Sequence, residues 1–508
     1  MAGALFLLFS LALQLWEQAA ERARPFAITV VDDQTGRGVP LVELTTVNNL
    51  RFITDSAGVV AFNEPGLMNQ RVFFNVASHG YEFAKDGFGI RGRALDVKPG
   101  DQATLKIKRL NIAQRLYRVT GEGIYRDTVL AGGNAPLKEP LLNAQVLGQD
   151  SVQRVIYRGK IHWFWGDTNR AAYPLGHFGM AGAVSELPGP IGAGGGLDPS
   201  VGIDLRYFVD GNGFSRPMVP GNNLRWADGF MVLKDGEGKE RLIAKCEMLK
   251  SLSEPLGRKL IVYNDEKDLF DDLKALDRNE PLCPQGHPFR YTDGGMEYFY
   301  FPAPYPMLRV KADWESIKTP AAYEGFTCLA PGARYTKNQT RLDRGDGGVL
   351  NWAWKKNTPP LSFEQQTDLI KSGQIKPEEV WYRLRDVDTR NAVIAHAGSV
   401  AWNAFRKKWV MITVQTFGKP SFLGEVYFAE SDQPHGPYLW GKRIVTHDRY
   451  SFYNPVHHPF FDQDGGKSIY FEGTYAMTFS RNDNPTPRYD YNQIMYRLDL
   501  SDPRLVMP

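Results

Sequence analysis

The chain has 508 residues, 43% hydrophobic and 23% charged, with 60 Lys plus Arg against 57 Asp plus Glu and a formal charge of +3. That length exceeds one ordinary core and predicts two or more domains. The near-neutral balance gives no support for a nucleic-acid coat or a polybasic membrane anchor.

The chain opens MAGALFLLFSLALQLWEQAAERARPF. Its apolar run, Ala4 to Trp16, is too short to span a bilayer as an unaided helix, and small residues follow at Ala19, Ala20 and Ala23. Residues 1–23 therefore read as a secretory signal, which places the protein outside the cytoplasm, secreted or periplasmic. No Lys or Arg precedes the run, so an amphipathic N-terminal helix is the other reading. No later stretch has the length and apolarity of a transmembrane helix. Cys246, Cys283 and Cys328 are far apart and odd in number, which argues for buried thiols with at most one disulfide.

Residues 24–112 form a first unit. AITVVDDQTGRGVPLVELTTV gives strand, polar turn and strand, RFITDSAGVVAFNEPG repeats the idea, and ATLKIKRL alternates apolar with basic residues. Short strands at this spacing predict a small antiparallel sandwich. The pairing of G-x-x-V-P with T-D-x-x-G resembles transthyretin-like or carboxypeptidase-regulatory-like modules. No catalytic constellation occurs here, so a spacer or binding module is the expectation.

From residue 116 to the end helical periodicity is scarce, with candidate helices at Ser362–Lys371 and Lys376–Arg385. A unit of short strand, tight polar turn and strongly apolar strand recurs instead. It appears as DSVQRVIYRGKIHWFWGD, DGFMVLKDGEGKERLIAKCE, HPFRYTDGGMEYFYFPAP, SVAWNAFRKKWVMITVQ and NPVHHPFFDQDGGKSIYFEGTY. Five copies of one hairpin point to a repeat architecture, and four-stranded sheets set radially make a propeller. The fold class expected is all-β: an N-terminal β-sandwich, then a five-bladed β-propeller over residues 116–508.

In such a blade the first strand lines the channel and the second runs back beside it, so the start of one and the end of the other share a face. Asp150 and Asp167 then meet at one mouth of the channel. The same rule brings Arg225, Asp228 and Glu247 from the second hairpin, and His287 and Arg290 from the third. His396 and Gln415 come from the fourth, Asn454, His457, His458 and Glu472 from the fifth, and Glu425 from a third strand. A polar concavity of this kind suits a sugar better than an apolar ligand.

Two carboxylates flanking a bond are what glycoside hydrolysis needs, one ionised and one protonated. Asp150 is the expected base or nucleophile, Glu247 and Glu472 compete for the acid, with Glu324 third, and Asp167 orients its partners. Arg225, Asp228, Arg290, His457 and Gln415 are the expected substrate contacts. Against these stand simpler readings. An Asp at a strand end often caps a turn, GDT included. Glu472 lies inside an apolar run and must be buried for a reason or paired. His457 and His458, as strand neighbours, face opposite sides. No spaced ligand set spells a catalytic metal, and no cofactor is expected; a structural calcium in the channel is left open. GxSxG and Walker loops are absent.

At these residues the sequence resembles the five-bladed propeller glycosidases (family-43-like). DSVQRVIYRGKIHWFWGDT follows the layout of their first blade, with a GDT ending similar to the endo-arabinanase group. SDQPHGPYLWGKRIV is similar to their S-x-x-x-x-GPW strand end, with Tyr438 replacing Trp. The resemblance implies that Asp150 serves as base or nucleophile; the family's acid, a Glu from a later blade, has no unambiguous match. A secreted glycoside hydrolase acting on a carbohydrate is the expectation, with no nucleic-acid or membrane partner. A uronate-directed lyase using Arg225, Arg290, His457 and Tyr453 is one alternative, and a non-catalytic sugar-binding propeller another. Oligomeric state, sugar and linkage are not written in the sequence.

Overall fold

The computed structural model describes residues 24–189, 196–251 and 254–508; the stretch read as a secretory signal lies outside them. Nearly all regular structure in these residues is β-strand. Among the described residues no helix is long and apolar enough to cross a membrane.

Residues 26–109 build two four-stranded sheets over one core. One sheet runs Val59–Phe62, Phe26–Asp32, Gln102–Arg109, Tyr81–Glu82, and the other Arg51–Ile53, Glu43–Thr46, Gln70–Ala77, Gly92–Val97. Alternation in ATLKIKRL sends Leu105 and Ile107 into that core and leaves Lys106 and Lys108 outside. One pairing departs from the antiparallel expectation: Phe26–Asp32 and Gln102–Arg109 run parallel. The T-D-x-x-G turn is fixed by Asp55, whose Oδ1 accepts from the backbone N–H groups of Ala57 (3.0 Å) and Val59 (3.1 Å). Gly58 sits there at φ 76°, where a Cβ would lie 2.5 Å from the Val30 carbonyl oxygen.

Among the described residues six further sheets follow: one small sheet of Gly148–Gln149, Thr168–Arg170 and Tyr173–His177, and five that are each opened by one of the recurring hairpins. The hairpin pairs are Gln153–Tyr157 with Lys160–Trp165, Leu224–Lys234 with Glu240–Ser251, and Phe289–Asp293 with Met296–Tyr300. Ile394–Asn403 with Lys408–Thr416 and Ser451–His457 with Ser468–Ala476 complete the set. In every case the hairpin's first strand is the edge of its sheet. The fifth sheet takes its outer strand from Gln114–Arg118, which pairs antiparallel with Asn492–Asp499. The two ends of the region are thereby joined.

Of the two expected helices, Phe363–Lys371 forms, with Ser362 and Gln365 making a reciprocal capping box. Lys376–Arg385 does not. Only the 3-10 turn Pro377–Glu379 is helical there, and Arg385–Asp386 adds in parallel to Trp440–Val445. Trp381 takes the chain out of helix: its backbone N–H donates to Gln366 and its indole N–H to the His435 carbonyl. All three cysteines are buried and free, so the one disulfide allowed for does not form.

The first unit is welded to the five sheets through Arg115, which is fully buried. Its guanidinium donates to the carbonyls of Pro40 (3.0 Å), Leu41 and His79 (both 3.3 Å) and to Ser78, and lies over the Tyr81 ring. Leu41 shares a core with Phe428, Phe452 and Tyr496 of the fourth and fifth sheets.

Candidate functional site

The edge strands of four of the five sheets, and the residues leading into the edge strand of the third, line one cavity of about 930 Å³. Asp150, Ser151 and Asp167 come from the first hairpin, Trp226, Asp228, Lys245 and Glu247 from the second, and Gln285 to His287 from the approach to the third. His396 to Gly398 and Thr416 come from the fourth and Tyr453 and Asn454 from the fifth, with Phe422, Phe479 and Tyr491 on connecting loops.

Asp150 and Asp167 are brought side by side because the hairpin closes beneath them. Gly166 N–H donates to the Asp150 carbonyl at 2.8 Å, and a Cβ on Gly166 would stand 2.2 Å from Asp150 Oδ1. Glycine is what lets the chain pass under that carboxylate. Asp150 Oδ2 accepts from the Tyr453 hydroxyl at 3.0 Å, and Asp167 Oδ1 from the Trp226 indole N–H at 2.9 Å. Burial, and then the neighbouring Asp167, push the Asp150 carboxyl up to about 6 against hydrogen bonds from Tyr453 and Tyr491. Burial also raises Asp167, opposed by Trp226.

The other two cavity acids are engaged with cations. Lys245 Nζ lies 2.8 Å from Asp228 Oδ1 and 3.2 Å from Glu247 Oε1, and Arg258 Nε lies 2.6 Å from Glu247 Oε1. Burial lowers the Lys245 ammonium, but Asp228, Cys283 and Glu247 together outweigh it and raise its pKa. The cavity thus holds four carboxyl groups and one lysine, with no arginine on its described wall. His287 is buried in the floor, and burial, reinforced by Arg154, keeps it neutral.

Several expected rim residues stand elsewhere. The fifth edge strand begins at Ser451, three residues before the expected start, so Tyr453 and Asn454 reach the cavity and His457 lies deeper. His457 Nε2 is 2.7 Å from Asp462 Oδ1. Glu472 is likewise mid-strand, paired across to Val456, wholly buried, with Oε1 2.9 Å from His458 Nε2. Burial raises it to about 8, opposed by Arg154. Arg225 alternates away from Trp226 and Asp228 and packs against Gly221. Arg290 binds Glu297 at 2.7 Å beside a separate outer hollow containing Trp314. Thr416, not Gln415, faces the cavity; Glu425 is buried against Thr446 at 2.7 Å, and Glu324 pairs with Arg309 at 2.8 Å in an outer strand.

The sequence reading missed Lys245, Trp226, Tyr491, Phe422 and Phe479. Spacing from the hairpin starts at Trp226 and from the hairpin ends at Lys245 was available; the loop residues carried no such signal. Backbone strain marks the same place. Ser151, Leu175, Met180, Asn454, Phe479 and Tyr491 all line the cavity at positive φ, between 49° and 67°. Each such residue costs about 1–3 kcal/mol, a load that folds retain where a site over-determines the backbone. Among the described residues no group of three or more His, Cys, Asp or Glu is placed to hold a metal ion.

No protein-family model matches the chain, and no curated protein matches it. Solved structures similar to it include an exo-1,5-α-L-arabinanase from a bovine ruminal metagenomic library, at 12% identity and a TM-score of 0.34, covering 70% of this chain and 94% of that one. Another is a Penicillium chrysogenum α-L-arabinanase complexed with arabinobiose, at 12% identity and 0.35, covering 77% and 99%. A third is an exo-β-1,3-galactanase from Phanerochaete chrysosporium with galactose, at 8% identity and 0.36, covering 76% and 65%.

Proposed function

We propose that the protein is a glycoside hydrolase working in the cavity of a five-bladed β-propeller, with the N-terminal sandwich as a rigidly attached support. The observation that carries this reading is the unneutralised pair Asp150 and Asp167 in a cavity whose other acids are tied to Lys245 and Arg258. Burial and the neighbouring Asp167 charge keep the Asp150 carboxyl protonated up to about pH 6, which leaves an acid available for assisted cleavage.

Asp150, the more strongly raised, keeps the proton and gives it to the glycosidic oxygen as the bond breaks. This reverses the roles expected from sequence. Asp167 keeps its charge, stabilises the positive charge that grows at the anomeric carbon, and takes the proton of the water that adds to that carbon; return of this proton to Asp150 by way of solvent restores the starting state. Tyr453 and Trp226 hold the two carboxyl groups in place. The excess of acid in the cavity favours a neutral glycan. A uronate lyase loses its support, since Arg225, Arg290 and His457 lie away from the cavity. The secretory reading of residues 1–23 belongs to the same proposal: an enzyme meeting polymeric glycans outside the cytoplasm.

The test is release of reducing ends from a panel of neutral polysaccharides by wild type and by Asp150→Asn and Asp167→Asn. Release by wild type that both substitutions abolish supports the assignment. Sugar binding without release by wild type would favour a non-catalytic propeller.

A further inference from the structure

Two phenylalanines line the cavity and a third stands beside them. Phe422 and Phe479 line it, and Phe417 stands just outside, edge-on to Phe422 with ring centres 5.0 Å apart. Phe479 meets Tyr453 edge-on at 5.7 Å, and Tyr453 in turn binds Asp150. Two of these rings are costly as folding elements. Phe417 is 69% exposed and Phe479 58%, so neither serves mainly as core. Both also hold left-handed backbone, at φ 59° and 67°, which a bulky side chain seldom adopts. Two loops from different sheets, ending Lys408–Thr416 and Ser468–Ala476, present this same combination on one side of one cavity.

Resting on the hydrolase reading, we propose that Phe479, Phe422 and Phe417 form a stacking shelf that takes the sugar ring next to the scissile bond, and that this ring is uncharged. Aromatic faces gain from covering the C–H face of a sugar, while the charged Asp167, which has no cation partner, repels a uronate. Tyr453 bridges the two functions. The ring packed on Phe479 and the oxygen beside Asp150 are thereby set in fixed register. The shelf selects substrates of several rings over single-ring glycosides.

The experiment uses the full chain carrying Asp150→Asn, so that sugars bind without turnover, with and without Phe479→Gly or Phe417→Gly. Neutral oligosaccharides of arabinose, galactose, xylose and glucose, two to six rings long, are titrated calorimetrically, with galacturonate oligomers as the charged control. The expected result is roughly tenfold weaker binding of the longer neutral chains by the glycine forms, about what one lost aromatic contact provides. Melting temperature stays level or rises, because glycine relieves the left-handed backbone.

Unchanged affinity, or affinity and melting temperature falling together, overturns the shelf. Tighter binding of galacturonate than of neutral chains overturns the uncharged ring. Binding that depends on the phenylalanines, without cleavage by the wild-type protein, overturns the hydrolase reading and leaves the shelf standing. No binding of any oligosaccharide overturns both.

Discussion

Tyr453 donates its hydroxyl hydrogen to Oδ2 of Asp150 across 3.0 Å, so a residue of the fifth sheet controls an acid of the first. A donor to a carboxylate favours its ionised form. Activity that needs protonated Asp150 is expected to fall as pH rises through about 6. Tyr453→Phe removes the donor and raises the Asp150 pKa further, so the alkaline limb of the kcat profile shifts to higher pH. A limb that stays in place in Tyr453→Phe would separate that tyrosine from the titrating group.

Asp150→Asn keeps the size of the side chain and removes the transferable proton. A loss of about 100- to 10,000-fold in kcat is expected, with KM little changed, as for other removed acid catalysts. Glu247→Gln should cost less, since Glu247 serves Arg258 and Lys245 rather than the reacting pair. Steady-state kinetics on the best polysaccharide of the panel gives both numbers.

Glu472 gives a stability prediction with a definite sign. Its folded pKa, about 8, stands above the usual carboxyl value of 4.5, so the folded state binds more protons between those limits. Its contribution is therefore most favourable below pH 4.5 and is lost as pH rises toward 8. Glu472→Gln should raise the melting temperature at pH 8 and change it little at pH 4.5. Buried histidines act oppositely. His79, lowered to about 3 by burial and then by Arg115, is neutral in the fold, so stability drops as pH falls from 6.5 toward 3. Melting curves across pH 4 to 9 test both slopes.

Removing Arg115 takes a donor from the carbonyls of Pro40, Leu41 and His79, of which Leu41 keeps a second donor in the Ser78 hydroxyl. Each buried acceptor left unsatisfied costs about 1–3 kcal/mol. Arg115→Ala is expected to lower the melting temperature and to split one calorimetric transition into two, as the N-terminal unit of residues 26–109 separates from the sheets that follow. A single unaltered transition would show that the shared core around Leu41 holds the seam without it.

How much of this was written in the sequence depends on distance along the chain. The five hairpins were legible because alternation and turn residues act within about twenty residues, and each pairs as read. Asp150 and Asp167 came with the first hairpin for the same reason. His457 and Glu472 were assigned to the rim because the fifth strand was started three residues late, and a strand advances about 3.3 Å per residue, so the error is about 10 Å of depth. The helix read at Lys376–Arg385 yielded to tertiary packing of Trp381. Left-handed backbone at Phe479 or Tyr491 has no local signature in residues that rarely adopt it. Both positions lie on the loop between Ser468–Ala476 and Asn492–Asp499, adjacent strands of the fifth sheet, and the course of that loop is set by what it packs against.

Strand Gln114–Arg118 closes the fifth sheet by pairing with Asn492–Asp499, which is synthesised long after it. During synthesis it must wait with an open hydrogen-bonding edge while four complete sheets are made, a state that invites wrong partners. The N-terminal unit, complete at Arg109, offers the Pro40, Leu41 and His79 carbonyls to Arg115 as soon as that residue is made. A nascent chain that stalls before Asn492 is therefore left with the edge of Gln114–Arg118 unpaired.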